Sequence, residues 1–363
     1  MKEKKFASIE SYLSTLDEER QNREDIVVPV HDIGMTDGQL VIDGESHSLS
    51  TMAKNQIAMR LGVTSVYWDR MVKFKQFDLL DTNVNRWISL HDEDDKYLIS
   101  RKDKEVIAFL SPKYKIVDNY ETLTTYMNSY KEAHPNSAYR MGGFIEGTGI
   151  GYVQMYETEN VKEFLQKDPY SVGSVFKFSD VGGGISIGNL VYRQICSNGM
   201  MGFKEDKTDR IRLNGHSKDS RDYRNDPVYI EELPRVLGLT RALGRKSAMN
   251  ASTQQRLNNL VELKAKKIDD LEAIIYTIKP YLKLEDDAFT AFIEEVIADK
   301  VDNYYDLVQA ITKNAQLQDA SIQFKMEQVG GWITDNSGKI LDHIIINSVK
   351  TREKLDKKAK EEE

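Results

Sequence analysis

Gly184-Ile185-Ser186-Ile187-Gly188-Asn189-Leu190-Val191-Tyr192-Arg193-Gln194-Ile195-Cys196-Ser197-Asn198-Gly199-Met200 reads as a β-strand that runs into a turn. Ile, Leu, Val and Tyr suit a pleated surface, and Asn198-Gly199 supplies turn chemistry. On this reading Cys196 packs at the strand end, and Asn198 and Gly199 make the turn. The strand has a neighbour upstream in Gly149-Ile150-Gly151-Tyr152-Val153-Gln154-Met155-Tyr156. Gly182-Gly183-Gly184 is expected to be a flexible hairpin turn. A phosphate loop would need a helix after the glycines and a Lys-Ser/Thr pair, and here a strand follows. Strands thus dominate from about residue 138 to 200.

Working toward the N-terminus, Tyr97-Leu98-Ile99-Ser100-Arg101 and Val106-Ile107-Ala108-Phe109-Leu110 flank a charged turn at Lys102-Asp103-Lys104, which signals a hairpin. A helix is expected from about Asn119 to Glu132. Asp25–Val30 and Gly38–Gly44 read as strands, the second closed by a turn. Ser48 and Ser50 can cap a helix over 51–61 that stops at Gly62. Thr64 or Ser65 can cap a second helix containing Val66–Val72. Residues before Asp25 look helical and very polar, which suggests a solvated arm or a partner-docking helix.

Toward the C-terminus, residues 204–226 are dense in charge and suggest an exposed loop. Helical spacing follows over about 231–247, 251–278, 286–298 and 302–315, with Lys279-Pro280 as the expected break. Thr351–Glu363 is nearly all charged and is expected to fray or be disordered.

The chain has 363 residues and a formal net charge of -8, which argues against a generally basic nucleic-acid coat but leaves room for a local basic groove. One cysteine forms no intramolecular disulfide and no four-thiolate zinc site. No apolar run reaches membrane-span length, and no apolar signal core follows Met1–Phe6. A cytoplasmic protein with no membrane partner is expected.

Asn55–Thr64 resembles the front of a helix-turn-helix, with Ala58 for close packing and Gly62 for the turn. Tyr67 and Trp68 make a poor recognition helix, so a structural corner is preferred, and Arg70 and Lys73 are the residues that would test it. His31-Asp32 and His91-Asp92-Glu93-Asp94-Asp95 lack the spacing of a zinc or calcium site. Cys196 and His216 are the nucleophile–base pair the sequence offers, and a small buried cysteine is the preferred alternative. Between Phe203 and Asn250 eleven Lys and Arg face eight Asp and Glu, a local charge of +3. Arginine suits phosphate forks, and the interleaved Tyr223 and Tyr229 can stack bases. Self-pairing with the alternating acids is the competing reading.

Four stretches together resemble phage- and plasmid-encoded proteins grouped around a widespread domain of unknown function. They are Leu40–Gly44 with the Leu49–Met71 helical pair, and Tyr97–Arg101 leading to Ala108–Asn119. The others are Tyr192–Gly199 with His216 downstream, and Tyr305–Thr312 followed by Glu327–Gly331. The resemblance spans roughly residues 25 to 335. The fourth stretch departs from the family pattern, with Gln309 where Asn is common. It implies a mobile-element protein acting in the cytoplasm of a bacterial host, without an established reaction. A looser fold-level analogy is to phage single-strand annealing proteins.

The expected fold is α+β, with a central antiparallel or mixed sheet, flanking helices and a helical C-terminal region. The expected divisions are a polar arm (1–24), a hairpin and helix pair (25–96), a sheet-rich core with basic loop (97–228), a helical region (229–350) and a charged disordered tail (351–363). The leading functional expectation is binding of nucleic acid, single-stranded DNA above all, in recombination or replication. Arg101, Lys113, Arg193, Arg210, Arg212, Arg221 and Arg224 would contact phosphates, and Tyr114 or Tyr223 would stack bases. The alternatives are a protein-interaction module for a host-takeover or counter-defence role, and a metal-dependent enzyme on nucleotides or nucleic acid. No catalytic residue, metal ligand or cofactor is assigned. A homo-oligomer is allowed, with 251–278 as a candidate contact, but the preferred reading is that its apolar stripe covers the sheet.

Overall fold

The computed structural model describes residues 5–114, 116–145, 148–159, 162–164, 168–193, 198–202, 227–245, 251–335 and 337–362. The fold is α+β, with two sheets, flanking helices and a helical C-terminal region.

The chain opens with β1 (Lys5–Phe6) and α1 (Ile9–Gln21). Ser8 caps α1, its hydroxyl accepting the Ser11 N–H at 3.2 Å. The segment is no solvated arm. β1 pairs with a later strand, Tyr12 is fully buried, and its hydroxyl donates to the Gly143 carbonyl at 2.8 Å. The ring lies so close to Gly142 that a Cβ there would sit 2.8 Å from it. Few apolar residues suffice to dock a polar helix when one is a large aromatic with a polar tip.

β2 (Arg23–Pro29), β3 (Ile33–Thr36), β4 (Gln39–Ile42), β5 (Glu45–Leu49), β6 (Lys96–Lys102) and β7 (Glu105–Leu110) form the first sheet, in the order β2-β6-β7-β5-β4-β3. Its pairs are antiparallel except β5 with β7. Asp37-Gly38 and Asp43-Gly44 take positive φ at all four positions, as two-residue hairpins require. α2 (Thr51–Arg60), α3 (Ser65–Lys73) and α4 (Phe77–Ile88) belong to the same unit. Ile57, Trp68, Leu80, Val84 and Ile88 share a core with Leu40, Ile42 and Ile99.

After α5 (Asn119–Ala133), the strands β8 (Ser137–Ile145), β9 (Ile150–Glu157), β10 (Lys162–Phe164), β11 (Asp168–Phe178), β12 (Ser186–Arg193) and β13 (Asn198–Gly202) form the second sheet with β1. The order is β1-β8-β9-β11-β12-β13, with β10 on β11, all antiparallel. The central sheet expected within the core of 97–228 is therefore divided, because β6 and β7 pair with the earlier strands β2 and β5. Asn198 and Gly199 are not the turn. They open β13 and pair with Arg193 and Tyr192. Cys196 lies outside the described residues.

α6 (Pro227–Gly244), α7 (Ala251–Ala265), α8 (Leu271–Leu282), α9 (Asp286–Ala298), α10 (Tyr304–Asn314), α11 (Ala320–Asp335) and α12 (Ser337–Glu362) complete the chain. One face of the second sheet packs against α1, α5 and α6, through Val153, Met155, Phe176 and Phe178. The other meets α11 through Tyr152, Val175 and Phe324, and through the Arg140–Glu327 ion pair at 2.7 Å. The helix expected over 251–278 breaks at Lys266–Asp270 rather than at Pro280. Asp270 caps a new helix, and the backbone around Lys266 and Ile268 pairs with Asp302 and Tyr304. Pro280 sits in the last turn of α8. The charged tail is helical to Glu362, not disordered, and Arg352 ties it to Asp270 and Glu272.

The two sheets meet where the glycine turn between β11 and β12 lands on the first sheet. Gln56 donates to the Val181 carbonyl at 2.6 Å and accepts the Phe109 N–H at 2.7 Å. Gly182, at φ 117°, would set a Cβ 3.0 Å from that Gln56 amide nitrogen.

Candidate nucleic-acid interface

Gly62, in the left-handed region, turns the chain between α2 and α3, and Thr64 caps α3 by accepting the Tyr67 N–H at 3.3 Å. Trp68 points inward and is 1 % exposed, which fixes the rotation of α3. Positions away from it face solvent: Val66, Arg70, Val72 and Lys73. α4 is fixed in the same way by Leu80, Val84 and Ile88, which leaves Leu79, Arg86 and Trp87 outward.

The outcome is a surface with unusual contents. Phe74 and Trp87 are 59 % and 46 % exposed. Around them in sequence stand Arg70, Lys73, Lys75 and Arg86, all exposed and none ion-paired with a described residue. Lys73 Nζ lies 5.9 Å from the Phe74 ring centre. Of the acids in α3 and α4, Asp69 pairs with Lys54 and Asp81 accepts the Gly38 N–H, while Asp78 is exposed. Unpaired cations beside open aromatic faces can hold phosphates and stack bases at once.

The residues expected from sequence fall elsewhere. Arg101 on β6 pairs with Glu24 at 2.8 Å and lies 3.4 Å from His47. Lys113 is exposed on the loop after β7. Tyr114 is no stacking platform: it packs against the Val27, Leu98 and Leu110 cluster. Burial pushes its phenol up to about 12, and its hydroxyl bonds to the backbone of Gly182 and Gly184. Arg193 is half-buried and donates to Gln309 at 3.4 Å. Arg210, Arg212, Arg221, Tyr223, Arg224 and His216 lie outside the described residues. The structure thus exposes Arg70 and Lys73, which the helix-turn-helix pattern had singled out, and in the same helical segment Phe74, Lys75, Arg86 and Trp87, which it had not. The four-residue spacing of Leu80, Val84 and Ile88 marks a helix, but Leu79 and Trp87 beside it hide which face is buried.

No family model, curated protein or solved structure matches the chain. Among the described residues no group of three or more His, Cys, Asp or Glu is arranged to hold a metal ion, and no helix is long and apolar enough to cross a membrane.

A second polar cluster lies at the meeting of the two sheets. Arg23 Nε donates to Asp25 at 2.8 Å, Nη1 to Asp180 at 2.5 Å, and Nη2 to Ser100 at 2.9 Å and the Asp180 carbonyl at 3.1 Å. Burial works against the cation, but Asp180 and Asp25 outweigh it and raise its pKa. Burial also pushes the Asp180 carboxyl up to about 6, with Asp118 and Asp25 reinforcing it against the pull of Arg23. Glu19 on α1 stands at about 7, raised by burial and by Asp180 and opposed by Lys102 and Arg23.

Proposed function

We propose that the chain binds single-stranded nucleic acid on the outer surface of α3 and α4. The observation that carries this is the exposure, within residues 70–87, of Phe74 and Trp87 together with the cations Arg70, Lys73, Lys75 and Arg86, none ion-paired with a described residue. Single strands offer unpaired base faces for the rings and phosphates for the cations, whereas duplex bases are already stacked. The acidic total charge confines attraction to this patch and any other local basic surface. The resemblance to phage- and plasmid-encoded proteins suggests recombination or replication as the setting.

The test is fluorescence anisotropy with a labelled single strand across a salt series. Four phosphate contacts give a slope of log K against log salt of about -3. Arg70→Ala with Lys73→Ala should flatten that slope by about 1.4. Phe74→Ala or Trp87→Ala should each cost about 1–3 kcal/mol of affinity with the slope unchanged. Binding that ignores salt, or survives loss of both rings, defeats the proposal.

A second reading has its own observation. Met59, Val66, Val72, Leu79 and Leu90 are also exposed on or beside α2–α4, which is more apolar surface than phosphate binding needs. A protein partner, as in a host-takeover or counter-defence role, would use these residues, and its affinity would fall on Leu79→Ser while barely responding to salt.

A further inference from the structure

Between α1, β6 and the start of α5 lies a cavity of about 200 Å³, room for a ligand of a few heavy atoms. Its walls include Glu19, Arg23, Lys102, Asp118, Asn119 and Asp180. Hydrogen bonding separates engaged groups from open ones. Arg23 and Asp180 hold each other. Asp118 caps α5 by accepting the Tyr120 and Glu121 N–H groups at 2.9 and 3.3 Å. Glu19, in contrast, makes no hydrogen bond or ion pair with a described residue. Asn119 is 4 % exposed, and its carbonyl oxygen Oδ1 has no hydrogen-bond partner.

An open buried amide oxygen costs about 1–3 kcal/mol and asks for a partner. Glu19 and Asn119 Oδ1 are open acceptors, and Lys102 on the same wall makes no ion pair with a described residue. The wall carboxylates, Glu19, Glu105, Asp118 and Asp180, outnumber the cations Arg20, Arg23 and Lys102. Arg20 is moreover held by Asp17 and Glu121, so it offers little to an anion. With Glu19 ionised, a ligand that donates hydrogen bonds and carries positive charge fits this cavity.

We propose that the cavity binds a small organic ammonium ion, with Glu19 as its counter-ion and Asn119 Oδ1 as a hydrogen-bond acceptor. An ammonium group brings three donors and a compact charge, enough to serve both open acceptors at once. A divalent metal is not the occupant, since the described carboxylates are not grouped to coordinate one. Bound there, the ligand would bridge α1 to the N-terminus of α5, and it would do so independently of the α3–α4 surface.

The test titrates the full chain at fixed ionic strength with ethanolammonium chloride, and separately with ethylene glycol, which is nearly isosteric and uncharged. Ethanolammonium should raise Tm by about 2 °C or more once at roughly ten times its Kd. Ethylene glycol should leave Tm unchanged. Glu19→Gln and Asn119→Ala should each weaken the ammonium response by about tenfold or more in Kd. Phe74→Ala should not affect it. Equal responses to the two probes, no response to ethanolammonium, or an undiminished response in Glu19→Gln would overturn the assignment. Should Asn119→Ala fail to fold, the near-isosteric Glu19→Gln carries the test alone.

Discussion

Arg23 at the meeting of the sheets and Arg70 on the outer face of α3 are the same residue type in opposite circumstances. Arg23 is nearly buried, and its guanidinium donates to Asp25, Asp180 and Ser100. Arg70 is exposed and unpaired among the described residues. The difference teaches where to look for function in a chain this rich in charge. A cation whose donors are consumed inside the fold holds the fold together. A cation that nothing engages is available to a partner. Net charge and residue counts do not distinguish the two, whereas hydrogen-bond partners do.

The largest effect that could break this comparison is on stability. Arg23→Ala leaves Asp25 and Asp180 as buried carboxylates without their cation, which should cost about 3–5 kcal/mol in urea unfolding. Arg70→Ala should change stability by less than about 0.5 kcal/mol. Arg23→Lys, which keeps the charge but loses the fork, should fall between. If Arg23→Ala costs less than about 1 kcal/mol, this cluster does not join the sheets.

The sequence allowed this contrast to be seen only in part. Local features were legible where one residue type dictates geometry. Ser50 and Thr64 cap helices, and Gly62 turns between them. The division into two sheets was not legible, because β2 pairs with β6 across an intervening pair of hairpins and three helices, and β5 meets β7 in parallel. Such pairings leave no trace in local alternation. The surface was hidden for a different reason. α4 carries large apolar residues on both sides, Leu80 and Val84 inside, Leu79 and Trp87 outside, so its pattern does not reveal which side is the core. The break between α7 and α8 was misplaced because Pro280 is a conspicuous signal. The Asp270 cap and the pairing of Ile268 with Asp302 carry the actual break.

A middle-sized effect separates the buried cluster from the surface through pH. Glu19 titrates near 4.5 in an ordinary environment and near 7 here. Between those values the folded chain holds the proton more tightly than the unfolded one. Stability from this group is therefore complete below about 4.5 and lost as pH rises through 7. Glu19→Gln removes that loss. It should be more stable than the native chain by about 1–3 kcal/mol at pH 8, and nearly equal to it at pH 4. Asp180, whose window runs from 3.8 to about 6, contributes to the slope that persists in the variant. A group kept at such cost fits a binding role better than a structural one. Identical pH profiles for the two proteins would show that Glu19 ionises freely.

The smallest expected effect is the sharpest on the comparison, because it sets two arginines named by different lines of sequence reasoning against each other. Arg101 was expected to contact phosphate and Arg70 was the probe of a groove-reading helix. In the fold Arg101 donates to Glu24, an exposed partner, while Arg70 donates to no described residue. An exposed pair of this kind is worth about 0–1 kcal/mol, so Arg101→Ala should barely alter unfolding. It should also leave single-strand affinity within about twofold and the salt slope unchanged, while Arg70→Ala lowers that slope by about 0.7. If instead Arg101→Ala flattens the slope as much as Arg70→Ala does, a phosphate displaces Glu24 in the complex. The interface would then extend from the helices onto the first sheet, and a weak internal pair would count as available rather than consumed.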